Sequence, residues 1–279
     1  MTGRRDRALG AFLGLAVGDA VGTTLEFEAR DRRPPLTDMV GGGPFRLPAG
    51  GWTDDTSMAL ALADSLAECG DLVADDVMRR WVRWWREGAY SHTGTCFDIG
   101  NQTRAALAAF DRDGSLPGPT DSAGNGAIMR LAPVVLFALD RGPGEAARLA
   151  AIQARLTHNN DEAAGTSAAM ATLLHELIEG GGPDLLGEVP KRRADVRASG
   201  WVRHTWEAAR WSVATTDSFE GAVLAAANLA EDADTTAAVA GQIAGALYGL
   251  EAIPAHWRAR LLWHDEIMAL GCRLLPPQS

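Results

Sequence analysis

The stretch at residues 232–250, DADTTAAVAGQIAGALYGL, decides how this chain folds. From Thr235 to Leu250 its apolar residues recur at three- and four-residue spacing, the period of an α-helix rather than of a strand. Its alanines fit the same reading, because alanine is the best helix former and lets a second helix approach closely. Directly in front stand Asp232, Asp234 and Thr235. A similar arrangement occurs far upstream, where Thr53-Asp54-Asp55 precedes an alanine-rich stretch at 57–67. Each cluster interleaves carboxylates with threonine hydroxyls, a donor set suited to hard divalent cations such as Mg²⁺ or Mn²⁺.

The helical period recurs along the chain, at 7–20, 57–67, 73–85, 100–110, 145–156, 162–178, 201–211, 219–227 and 235–250. No alternating run of Val, Ile or Thr is long enough to be a strand. The predicted fold is all-α. Gly41-Gly42-Gly43-Pro44 and Ala49-Gly50-Gly51 bracket a loop leading into the first acidic cluster, and Gly/Pro-rich breaks fall at 113–124 and 180–183. None is a long flexible linker and no fixed-period repeat occurs, so one compact domain over 1–279 is expected.

Composition narrows the class. The chain has 279 residues, 47% of them hydrophobic, enough for a substantial core. A net charge of −10 argues against a nucleic-acid-binding surface and suits a cytoplasmic protein. The three cysteines, Cys69, Cys96 and Cys272, show no metal-like spacing and read as reduced, mostly buried thiols. The charged start at 1–7 and the apolar run at 8–20 suggest a signal peptide, but Asp19 and the glycines between Gly10 and Gly22 break it. No stretch is expected to reach the roughly 18 apolar residues of a membrane span.

Each acidic cluster has a bland reading, since Thr and Asp at a helix start are favoured N-caps and acids there match the helix dipole. Capping needs one acceptor, however, and each cluster supplies two carboxylates and a hydroxyl. Brought together, four carboxylates repel strongly unless a cation intervenes. Two ions sharing bridging carboxylates would form a centre of the kind that activates water. Glu26, between Leu25 and Phe27, and Asp98, between Phe97 and Ile99, are acids among apolar neighbours, fit for a raised pKa, a metal contact or simple surface exposure. Gly100 permits close backbone approach. Gly124-Asn125-Gly126-Ala127 reads as a helix start whose N–H groups cradle a phosphate, or as an ordinary glycine-rich helix entry. His158, after a helix C-terminus, is a ligand or a dipole partner. Trp81, Trp84 and Trp85 share one helical face, for core packing or for stacking a base. Trp201, Trp206 and Trp211 are assigned to packing alone.

Together these motifs carry a resemblance. Residues 10–20 (GAFLGLAVGDA) with Glu26, Trp52-Thr53-Asp54-Asp55-Thr56-Ser57-Met58, Cys96-Phe97-Asp98-Ile99-Gly100-Asn101, residues 124–130 (GNGAIMR), Thr157-His158 and Asp232-Ala233-Asp234-Thr235-Thr236-Ala237 occur in the order found in the ADP-ribosylglycohydrolases. The chain most resembles the bacterial dinitrogenase-reductase-activating branch of that family. The resemblance implies a helical bundle with a binuclear Mg²⁺ or Mn²⁺ centre at the base of an ADP-ribose cleft. It implies Thr53, Asp54, Asp55, Asp232, Asp234 and Thr235 as metal ligands, and Glu26 and Asp98 as the catalytic acids. Gly100, Gly124, Asn125, Gly126 and His158 would bind substrate, with the 124–127 turn on the diphosphate.

The implied reaction hydrolyses the N-glycosidic bond joining ADP-ribose to an arginine of a modified protein, with free ADP-ribose as product. The motif around Asp98 favours that branch over the one acting on poly-ADP-ribose. Linkage to serine or to a nucleic acid base, or ADP-ribose binding without turnover, are the alternatives. An isoprenoid synthase fits poorly, because its acids lie one turn apart along a helix body.

Overall fold

The structure is a computed structural model that describes residues 3–276; the outermost residues of the expected 1–279 domain lie outside it. Twelve α-helices occur among the described residues. The first six are α1 (Arg4–Gly22), α2 (Asp54–Cys69), α3 (Ala74–Glu87), α4 (Asn101–Asp113), α5 (Ala132–Ala138) and α6 (Pro143–Arg155). The rest are α7 (Asp161–Ile178), α8 (Val202–Ala214), α9 (Phe219–Ala227), α10 (Ala233–Tyr248), α11 (Ala255–Arg260) and α12 (His264–Leu274). The described residues contain no strand, only isolated bridges between Gly42 and Leu47 and between Gly124 and Trp201. The all-α expectation holds. Three helices, α5, α11 and α12, were not anticipated; α5 and α11 are too short to display a helical period.

The bundle is built around α1 and α10. Every residue of α1 from Ala8 to Gly22 is buried, as is α10 from Ala233 to Leu247, so both are covered on all faces and belong to the interior. They run antiparallel with backbones almost in contact. On α1, Gly10, Gly14, Gly18 and Gly22 form a stripe at four-residue spacing, and the facing stripe on α10 is Gly245, Gly241, Ala237 and Ala233. A Cβ added at Gly10 would come within 2.6 Å of the Gly245 carbonyl oxygen, and one at Gly18 would collide with the Ala237 backbone. The register sets the C-terminal end of α1 beside the N-terminal end of α10.

The apolar character of α1 has its source in this contact. Against the expectation, the segment Arg4–Leu25 is long and apolar enough to cross a bilayer, but 94% of its apolar window is buried inside the protein. The remaining helices wrap the pair. Trp81 and Trp84 are fully buried, with the Trp81 indole N–H donating to the Met58 carbonyl at 3.0 Å, so these rings serve the core rather than a base. Trp85 is half-buried against the same core, with Arg86 stacked on it. The cysteines depart from expectation: all three are free, but Cys69 and Cys272 are exposed and Cys96 is half-buried.

The long loop between α1 and α2 is pinned to the C-terminal helices. Asp38 accepts from the Trp257 indole and from Arg260, each at 2.6 Å, and the Trp52 indole donates to the Leu262 carbonyl at 3.0 Å. That anchoring fixes where Thr53 starts α2.

The backbone contact predicts an asymmetric response to glycine replacement. Gly18→Ala meets fixed backbone and is expected to destabilise by about 1–3 kcal/mol or more. Gly165→Ala, on the exposed face of α7 with open space around it, should stabilise by about 0.5–1 kcal/mol through helix propensity. Urea unfolding of both variants measures the pair; equal effects would contradict the packing account.

Candidate active site

The two acidic helix starts meet at the end of the α1–α10 pair. Neither caps its own helix: Thr53 at the start of α2 and Asp232 at the start of α10 make no side-chain capping bond. Acids from the α1 end do that work across the fold. Asp19, fully buried, accepts from the backbone N–H of Thr53 at 2.9 Å and of Thr56 at 3.1 Å, satisfying the first turn of α2. The hydroxyls of Thr53 and Thr56 also donate to Asp19, at 2.9 and 2.6 Å. Glu26 accepts through Oε2 from the N–H groups of Ala233 at 2.7 Å and Asp234 at 3.2 Å, capping α10. Capping in trans leaves the clusters' own carboxylates free to face one another.

They converge closely. Ligand oxygens of Glu26, Asp232 and Asp234 lie within 4.8 Å of each other, as do those of Asp54, Asp98 and Asp234, so Asp234 belongs to both groups. Thr53 Oγ1 donates to Asp234 at 3.3 Å, and Thr235 Oγ1 donates to Asp55 at 3.4 Å. Asn125 Nδ2 donates to Asp232 at 2.6 Å and to Thr205 at 2.8 Å, tying the glycine turn to the acidic floor. Burial, reinforced by the charge of Asp234, lifts both Asp19 and Asp232 to about 7. Burial also pushes Glu26, Asp54, Asp55 and Asp98 well up, with Asp234 adding to Glu26, Asp54 and Asp98, and Asp19 to Asp55. As charged groups these carboxylates cannot coexist without a cation. The donors fit one: all are hard oxygens, and Asp55 Oδ2 is buried with no hydrogen-bond partner.

Above the acids opens a cleft of about 810 Å³, a size ordinary for ligand sites. Of the residues expected from sequence, Glu26, Asp54, Asp98, Gly100, Gly124, Asn125, Gly126, His158, Asp232, Asp234 and Thr235 line it. Thr53 and Asp55 sit behind this surface, fully buried. Four non-glycine residues around the floor hold left-handed backbone: Phe27, Asp98, Ala230 and Glu231. Such strain persists only where surrounding structure fixes it and is common at functional sites. Here Phe27 N–H donates to the Glu231 carbonyl at 2.8 Å and Glu231 N–H to that of Glu28 at 2.9 Å, bracing the two loops.

The far wall corrects one expectation. Residues 124–127 do not open a helix; they pass from a bridge with Trp201 into a turn, and α5 begins only at Ala132. The N–H groups of Gly124 and Gly126 still find no acceptor among the described residues. His158 lies beyond the end of α6, its ring packed over both glycines, where a Cβ on Gly126 would come within 2.6 Å of it. Burial, with help from Arg130, lowers His158 to about 3, so its imidazole is neutral.

Several site residues escaped the sequence reading. Asp19 had its signal in an acid set within an apolar run, but its targets on α2 were invisible. Arg104 is the one guanidinium lining the cleft among the described residues. Trp201, assigned to packing, is instead 38% exposed in a separate recess that shares Gly124 and Gly200 with the cleft wall, its indole N–H donating to Glu162 at 2.9 Å.

Comparisons with known proteins agree with this geometry. The family model described as ADP-ribosylglycohydrolase matches residues 1–278. The chain is 46% identical to the ADP-ribosylarginine hydrolase Tri1 of Pseudomonas putida, over 96% of this chain and 78% of that protein. It is 35% identical to the ADP-ribosyl-[dinitrogen reductase] glycohydrolase of Rhodospirillum rubrum, over 92% of this chain and 90% of that one. A solved structure titled ADP-ribosylglycohydrolase-related protein complex superposes with a TM-score of 0.87 at 39% identity, covering 98% of both chains. With its acidic floor, its cleft and its whole length matched, the chain belongs to the ADP-ribosylglycohydrolase family.

Proposed function

We propose that this protein hydrolyses the N-glycosidic bond between ADP-ribose and the arginine side chains of modified proteins, releasing ADP-ribose. The observation that carries the reading is the convergence of two acidic helix starts beneath a cleft whose opposite wall is a glycine turn with a neutral histidine. That layout offers an anionic floor to a sugar and neutral N–H donors to a diphosphate. The activity named for the Tri1 relatives supports arginine as the linkage. The whole chain as one cytoplasmic domain belongs to the same proposal.

Thr53, Asp54, Asp55, Asp232, Asp234 and Thr235 would hold two divalent ions, Mg²⁺ or Mn²⁺, through their hard oxygens. Asp234 lies in both groups of converging carboxylates, beside Glu26 and Asp232 in one and Asp54 and Asp98 in the other. When bound, such ions orient ribose hydroxyls and acidify water. The chain's own residues do the rest. Asn125 holds Asp232 in place. The backbone N–H groups of Gly124 and Gly126, with His158 and Arg104, receive the diphosphate. Cleavage of the C1″–N bond gives an oxocarbenium-like sugar and a neutral guanidine, and the water that attacks C1″ gives up the proton the guanidine takes. Asp98 would carry that proton, since Glu26 accepts two α10 backbone N–H groups through Oε2.

Asp98→Asn should therefore lower kcat on an ADP-ribosylarginine protein about 10²- to 10⁴-fold with little change in KM. Glu26→Gln should instead weaken metal affinity, through the loosened start of α10. The assay is release of free ADP-ribose from arginine-, serine- and acid-linked substrates, with Mg²⁺, Mn²⁺ or EDTA. Full activity in Asp98→Asn removes its role; turnover of the serine substrate alone, or turnover in EDTA, removes the function.

Metal and pH should be coupled in stability. Free carboxyls titrate near 4, whereas folding lifts Asp19 and Asp232 to about 7, so between those values the metal-free folded state holds protons that the unfolded state has lost. Its stability then falls as pH rises through that window. Asp38, held low mainly by Arg260, acts in the opposite sense below the window. His158, lowered to about 3 by burial, opposes the trend up to its ordinary value near 6.5. The raised carboxyls of Glu26, Asp54, Asp55 and Asp98 add to Asp19 and Asp232 and outweigh that one imidazole. In EDTA the Tm should drop from pH 5 to pH 8, and saturating Mg²⁺ should abolish the drop. A Tm that rises over this range in EDTA would contradict the buried acidic cluster.

A further inference from the structure

Behind the glycine turn lies a cation that the catalytic reading does not use. Arg130 is fully buried, stacked 3.9 Å over the Trp81 ring, with no carboxylate bonded to it. Its Nε donates to Gln153 Oε1 at 3.0 Å, and its Nη2 donates to Thr157 Oγ1 at 2.7 Å. Thr157 Oγ1 in turn lies 2.8 Å from His158 Nδ1. We propose that Arg130, acting through Thr157, is a positioning residue that locks His158 as its Nε2–H tautomer and turns a fixed N–H donor onto the Gly124–Gly126 turn.

The direction of each bond follows from what its groups can do. A guanidinium only donates, so Thr157 Oγ1 must accept from Arg130. The hydroxyl retains one proton of its own, and Thr157 is only 1% exposed, so that proton needs a buried acceptor. The one within reach is His158 Nδ1. Were Nδ1 protonated, the hydroxyl proton would be left buried without a partner, which is costly. Nδ1 therefore accepts and the ring proton sits on Nε2. That edge of the ring lies over both glycines, on the cleft wall. Burial, with the nearby charge of Arg130, opposes a second proton on the ring, so the donor stays neutral.

Gln153 secures the chain from behind. Its Nε2 donates to the Ala127 carbonyl at 2.8 Å while its Oε1 receives Arg130, so the turn and the histidine are set by one network. A diphosphate oxygen arriving at the turn would meet a donor already oriented, with no ring flip or proton rearrangement to complete. This step rests on the proposed diphosphate position.

The test uses the full-length protein with ¹⁵N-labelled histidine. Long-range ¹H–¹⁵N spectra report the tautomer of His158, assigned against His158→Asn, and calorimetry with ADP-ribose in Mg²⁺ reports binding. Wild type and Thr157→Ser should show a protonated Nε2 and an unprotonated Nδ1. Thr157→Val should lose that single signature and bind ADP-ribose about tenfold more weakly, the loss of one bond to a charged group. An Nδ1–H or doubly protonated ring in the wild type overturns the lock, whatever the variants do, and that spectrum suffices if Thr157→Val does not fold. Thr157→Val keeping either the tautomer or the affinity overturns it as well. The expected tautomer in a wild type that does not bind ADP-ribose supports the lock while overturning the proposed substrate.

Discussion

The close antiparallel contact of α1 and α10 is the constraint on which everything else depends. Glycines on both helices remove the side chains that would hold the backbones apart, and their shared four-residue spacing sets one register. Because Asp19 follows Gly18 and Asp234 follows Ala233, that register puts the functional acids of both helices at the same end of the pair. Slipping by one position would break the stripe against backbone and separate the acids together. Packing and chemistry are therefore fixed by the same residues, and the site needs no flexible element to assemble it.

The second constraint is electrostatic. Six or more carboxyl groups gathered in a mostly buried space oppose folding, and a domain stable by about 5–15 kcal/mol has little room for such opposition. The structure meets part of it with helix N-termini: Asp19 on α2 and Glu26 on α10 each accept two backbone N–H groups that would otherwise be unpaired. The remainder, centred on Asp54, Asp55, Asp232 and Asp234, would be met by a bound cation. On the opposite wall the logic reverses, and Arg104 is the one cation that lines the cleft among the described residues. Arg130 is kept behind the wall, and His158 presents a neutral ring.

Much of this was legible in the sequence, because helix periodicity and contiguous acid clusters are local patterns. The all-α fold and both acidic helix starts could be read that way. What stayed hidden depends on pairing. The glycines of α1 were visible, but spacing does not name a partner helix, so a core stripe resembled a flaw in a signal peptide. Asp19 and Glu26 act on helices remote in sequence, and nothing nearby announces a cap in trans. The turn at Asn125 was read as a helix start because glycine and asparagine serve both. The exposure of Trp201 was missed because five-residue spacing says nothing about a bridge to Gly124. The helices α5 and α11 are too short for period to speak.

The central claim is that the start of α2 and the start of α10 are halves of one metal centre. Anomalous diffraction from crystals of the full-length protein grown with Mn²⁺ tests it directly. The account predicts anomalous density at the cleft floor, between Asp54 and Asp55 on one side and Asp232 and Asp234 on the other, with two peaks sharing Asp234. Density elsewhere on the protein, or ordered carboxylates with no anomalous signal between them, would contradict it.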